Sequence, residues 1–167
     1  MDDNLDKIDF SQLLSALQDL DHPFPPKFLR GFSDLSPLQL KKLLPIWVTL
    51  PSHRKINILE DLEETMEKDT LVNFDQLAIA IVSDPDPKVR ILAIRLLWEY
   101  EDPRIISTII DIMLEDNDEA VRAMAANFLG KFVYLGELES IADTHKISVV
   151  RNLLEVLAGE DFPQVKH

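Results

Sequence analysis

Apolar residues recur along this chain at three- and four-residue intervals, and no apolar–polar alternation lasts long enough for a strand. The pattern predicts a succession of helices. Asp9-Phe10-Ser11-Gln12 opens the first, with Asp9 as cap, Gln12 reaching back, and Ile8 and Leu13 as a hydrophobic staple. That helix turns Leu13, Leu14, Leu17 and Leu20 inward and stops before His22-Pro23. Pro25-Pro26 starts a short helix holding Phe28, Leu29 and Phe32. Ser36-Pro37-Leu38-Gln39 is a sharper start: Ser36 caps, Pro37 occupies the first position, where no N–H is needed, and Gln39 closes the box. Leu35 and Leu40 form its staple. The helix carries Leu43, Leu44 and Trp47, with Pro45 expected to kink or shorten it.

Pro51-Ser52 begins the next helix, whose stripe is Ile58, Leu59, Leu62 and Met66. A further helix is expected over Leu71–Ser83 with Phe74, Leu77, Ala78, Ile81 and Val82 inward. Asp86-Pro87 caps a helix through Tyr100, Asp102-Pro103 one through Leu114, and Asp118 one through Leu135, with Gly136 as a left-handed stop. The last helix spans Lys146–Ala158, turns Val150, Leu153, Leu154 and Leu157 inward, and is closed by Gly159.

The chain repeats itself. Asp84-Pro85-Asp86-Pro87-Lys88-Val89-Arg90 recurs 32 residues on as Asp116-Asn117-Asp118-Glu119-Ala120-Val121-Arg122. The correspondence continues through Leu92 and Met124, Ala93 and Ala125, Leu96 and Phe128, and Leu97 and Leu129. A weaker copy lies 34 residues upstream, where Ile58, Leu59, Leu62 and Met66 fall on Leu92, Ala93, Leu96 and Tyr100. A helix-pair period in the low thirties marks an α-solenoid, because one hairpin cannot bury its own apolar stripe and stacking supplies the missing wall. In the shared motif Asp86 and Asp118 cap the second helix of a pair, while Val89 and Val121 plug the seam.

These stretches resemble HEAT repeats, in the short bacterial form also called HEAT-like or phycobilisome-lyase-type repeats. The resemblance is carried by Asp84 with Val89-Arg90 and by Asp116 with Val121-Arg122, and is clearest over residues 71–135. It lacks the proline many such repeats have in the first helix; Gln76 and Thr108 stand near that place. The resemblance implies an all-α, right-handed solenoid of antiparallel helix hairpins, and a ladder in which Asp and Arg pair between neighbouring repeats. The expected organisation is one domain over 1–167: an N-terminal helical cap at 1–35, helix pairs at 36–68, 71–100 and 102–135, and a partial repeat at 137–167. Glu160-Asp161-Phe162-Pro163-Gln164-Val165-Lys166 aligns with Asp84–Arg90, and the sequence stops where a second helix would begin. An ending in mid-repeat would leave an apolar seam open to a partner or a second copy; a frayed tail with a chance match is the alternative.

Composition narrows the function. With no cysteine among 167 residues, disulfides, thiolate metal sites and cysteine nucleophiles are excluded. Seventeen Lys and Arg against 30 Asp and Glu give a net charge of −13, which repels nucleic acid and anionic lipid. No basic start with an apolar run and no long apolar stretch marks a leader or a membrane span, so a soluble cytoplasmic protein is expected. His22, His53, His145 and His167 have no partner histidine at helical spacing, and no nucleophile elbow or phosphate-cradling glycine loop occurs. No catalytic residue, metal ligand or cofactor is assigned.

If the second helix of each pair lines the concave face, as in HEAT proteins, its non-core stripe is the expected contact surface. That stripe comprises Asn57, Asp61 and Glu64; then Lys88, Ile91, Arg95 and Trp98; then Ala123, Asn127, Gly130 and Lys131. Trp98 with Arg95 is the candidate hot spot, weighed against Trp98 packing on a neighbouring repeat. The acidic run Glu60–Glu64 with Glu67 and Asp69 reads first as a solvated helix face and second as a site for a basic partner. Asp61 and Glu64 share a face, but two ligands on one open helix make a weak acid/base or metal site. The favoured reading is a non-catalytic scaffold that binds a protein partner. The alternatives are an enzyme subunit resembling a phycobilin lyase, which needs a deep pocket, and a HEAT-type nucleic-acid binder, which needs a basic channel.

Overall fold

The computed structural model describes residues 7–137 and 143–158, and every regular element among them is helical. The chain forms two compact units, Met1–Leu97 and Trp98–His167.

The first unit holds α1 (Phe10–Gln18), a 3-10 helix (Pro26–Phe32), α2 (Pro37–Trp47), α3 (Ser52–Lys68), α4 (Asp75–Ile81) and α5 (Pro87–Leu96). Its starts follow the capping chemistry. The Asp9 carboxylate accepts from the Ser11 amide at 2.9 Å. Ser36 and Gln39 close a full capping box, with Gln39 N–H donating to Ser36 Oγ and Ser36 N–H to Gln39 Oε1. A Cβ on Gly31 would collide with Leu13 and Ile8, so the α1 staple packs directly on the 3-10 backbone. Pro45 is accommodated in the last turn of α2, which ends two residues later at Trp47. The core centres on Leu17, Phe32, Trp47, Leu59, Phe74 and Leu77, all nearly sealed from solvent.

Two expectations need correction here. Leu20 lies beyond the end of α1 and is 55% exposed rather than buried. The helix expected from Leu71 begins only at Asp75, leaving Leu71 87% exposed. The reason is a competing anchor. Asn73 donates its amide to Ser33 Oγ at 2.8 Å and accepts from the Asp34 amide at 2.8 Å, while its side chain accepts from Asp75 N–H. Asp34 meets this tie in the left-handed region, at φ 51°.

The second unit holds a 3-10 turn (Pro103–Ile105), α6 (Ile106–Glu115), α7 (Glu119–Glu137) and α8 (Asp143–Ala158), which pack on one another. Ile109, Met113, Val121, Phe128 and Val149 form its buried centre. Gly136 does not stop α7, which runs through it to Glu137. On α8 the inward position is Val149; Val150 and Leu153 are half-buried and Leu154 is 59% exposed, so the expected stripe is rotated. The Leu157 side chain, the stop assigned to Gly159 and the motif at Glu160–Lys166 lie outside the described residues.

The helix predicted through Tyr100 ends instead at Leu96. The carbonyls of Trp98 and Tyr100 accept from Lys131 Nζ at 2.6 and 2.5 Å. An ammonium thus satisfies two carbonyls just beyond the end of α5.

Candidate functional site

The repeated junction is built the same way in both units. At 84–90, Asp84 Oδ1 accepts from the Asp86 amide, Asp86 caps α5 through Lys88 and Val89, and Arg90 Nη1 donates to the Asp84 and Pro85 carbonyls at 2.9 and 3.0 Å. At 116–122, Asp116 Oδ1 accepts from the Asp118 amide, Asp118 caps through Val121, and Arg122 Nη1 donates to the Asp116 carbonyl at 2.7 Å. Val89 and Val121 are fully buried, as seam plugs should be. Ser52 hydrogen-bonds the Asp86 carboxylate and holds its pKa below the ordinary value. The family model for HEAT repeats matches residues 74–166, more than half of the chain. The chain belongs to the HEAT-repeat family. The match carries that family and not the phycobilisome-lyase-type subgroup. No curated protein and no solved structure matches the chain.

A HEAT repeat is a framework, so the candidate site is a surface. In the first unit Asn57, Asp61 and Glu64 are exposed along α3, while on α5 Arg95 is exposed and Ile91 half-buried. Arg95 is engaged by Glu63, which ties α5 to α3. Lys68 pairs with Glu64 at 2.5 Å and holds that carboxyl below its ordinary range. Asp61 behaves oppositely: burial raises its pKa, and the charges of Glu64 and Glu60 raise it further. Asn57 and Asp61 meet in a cleft of about 250 Å³ that also involves Pro23, Phe24, Arg54 and Glu60, while Glu64 stands outside it.

In the second unit Trp98 is 48% exposed, with its ring edge-on to Phe128 at 6.4 Å. Asn127 is exposed. Lys131 is half-buried, bonded to the Trp98 and Tyr100 carbonyls and seated over the Phe128 ring at 4.3 Å. Ala123, placed on the contact stripe from sequence, is instead buried.

Two features escaped the sequence reading. Asp84, Lys55 and Trp47 form a buried polar knot: Asp84 Oδ2 accepts from Lys55 Nζ at 2.8 Å and from Trp47 Nε1 at 3.1 Å. Arg54 sends Nη1 to the His22 carbonyl at 2.8 Å and Nη2 to the Ala16 and Asp19 carbonyls at 2.7 and 2.9 Å. Both cations sit in the first turn of α3. The only hint was that Pro23, Pro25 and Pro26 break the chain beside them and force a loop whose carbonyls need donors.

Proposed function

We propose that this HEAT-repeat protein is a non-catalytic scaffold that docks a partner protein on the surface around Trp98. The observation that carries the reading is Trp98: a large aromatic ring left half-exposed and backed by Phe128. A supported, partly exposed tryptophan has the character of an interface anchor, because burying its remaining surface against a partner gains apolar contact at little ordering cost. The net charge of −13 favours a basic partner and speeds encounter with it. No described helix is long and apolar enough to cross a membrane.

The test is affinity capture of the partner from the source cell with wild-type chain and with Trp98→Ala and Arg95→Ala. Loss of a hot-spot tryptophan should weaken the complex by about thirtyfold, and loss of Arg95 by less, since Glu63 already engages it. Thermal unfolding of each variant shows whether the fold survives. Equal recovery of the same partner by wild type and Trp98→Ala would sink the assignment of this face.

A further inference from the structure

We propose that the chain pairs with a second copy of itself through α8, the two helices antiparallel, with Leu154 of both copies at the centre and Arg151 of each facing Glu155 of the other. The inference uses other residues than the surface around Trp98 and does not depend on it.

The repeat register identifies the face. The alignment of Glu160–Lys166 with Asp84–Arg90 places Val150, Leu153 and Leu154 on Phe74, Leu77 and Ala78 of α4, and on Ile106, Ile109 and Ile110 of α6. α4 and α6 each carry a second helix, α5 and α7, and in both the first two of these positions are buried. α8 packs against α6 and α7, and Val149 is sealed. Its Val150 and Leu153 stay half-buried, Leu154 is 59% exposed, and Ile147, two turns before Leu154, is 63% exposed. Apolar residues seven apart on one exposed side have the spacing of a helix–helix seam.

The charges beside that stripe point to what covers it. Arg151 and Glu155 are exposed one turn apart on the same flank. Among the described residues neither has an ion-pair partner. In an antiparallel pair of identical helices, like flanks meet. A dyad level with residue 153 therefore sets Arg151 opposite Glu155 of the second copy, twice, and brings the two Leu154 side chains together. A foreign helix would need both the stripe and the answering charges, whereas a second copy carries them by symmetry. The net charge of −13 does not oppose this contact locally, because α8 balances Asp143 and Glu155 with Lys146 and Arg151.

The experiment is sedimentation velocity of the full chain from roughly 5 to 500 µM, since a small isologous contact calls for micromolar association. Wild type should pass from monomer to dimer over that range. L154S should weaken pairing at least about tenfold. R151E and E155R should each weaken it about tenfold, and an equimolar mixture of the two should restore it, because each then offers the charge that the other lacks. Circular dichroism of each variant separates loss of pairing from loss of fold, and the mixture tests the charge pair even where L154S loosens the helix. A wild-type chain that stays monomeric throughout, a dimer that survives L154S, or a mixture no tighter than R151E alone would each overturn the proposal. A monomer in which L154S instead lowers recovery of the partner protein would overturn it in favour of another protein on this face.

Discussion

The two copies of the repeated junction share their backbone chemistry and differ in how deeply they are built in. At 84–90 the Asp84 carboxylate reaches back to α2 and α3 through Trp47 and Lys55, with 6% and 3% exposure at the Lys55 and Asp84 side chains. At 116–122 Asp116 is half-buried and Arg122 more open than Arg90. The short motif therefore specifies a local turn, an aspartate bracing the next cap and an arginine tying off the carbonyls. How strongly that turn is welded to earlier helices is decided by residues that lie dozens of positions away and outside the short motif.

The sharpest way to break this comparison is to remove the weld. Lys55→Met leaves Asp84 buried without its cation and should cost about 3–5 kcal/mol, because the stranded carboxylate keeps its desolvation penalty. Asp116→Asn, which keeps an acceptor at a more open site, should cost about 1 kcal/mol. Urea unfolding of the two variants measures both, and equal losses would show the junctions to be equivalent after all.

A smaller and matched effect is expected at the caps. Asp86→Ala and Asp118→Ala should each cost about 1 kcal/mol, the ordinary value of an N-cap. Asp86 also carries a pH signature. Its folded pKa is depressed, first by Ser52, so its contribution is fully present above the ordinary carboxylate value and fades as pH falls through the depressed one. The gap in melting temperature between wild type and Asp86→Ala should therefore close in acid.

The smallest change should have the opposite sign. Asp61 has a raised pKa, so its charge costs stability above that value and nothing below the ordinary one. Asp61→Asn should stabilise the chain at pH 7 by a few tenths of a kcal/mol, a gain screened by solvent and absent in acid.

Much of this was readable in the residues, and the failures share a cause. Helix starts were legible because a cap, a proline and a staple act within a few positions; Ser36-Pro37-Leu38-Gln39 folds as its chemistry demands. The repeat was legible because the junction is short and local. Helix ends and faces were not. The Leu71 start was lost to the Asn73–Ser33 tie, the Tyr100 end to Lys131, and the Leu154 face to the packing of α8. Each was decided by a partner distant in sequence. The candidate surface divides the same way: exposure of Asn57, Asp61 and Glu64 followed from periodicity, while the cleft around Asp61 required Phe24 and Arg54, which no spacing rule connects.

Arg54 has a practical consequence for anyone dissecting this chain. Its guanidinium holds the carbonyls of Ala16, Asp19 and His22, all upstream of the segment that the repeat family recognises. Cutting the gene between residues 35 and 36, ahead of the first helix pair, would not free a spare module. It would strip a sealed cation of the three carbonyl oxygens it grips, so the segment that holds Ala16, Asp19 and His22 acts as a keystone.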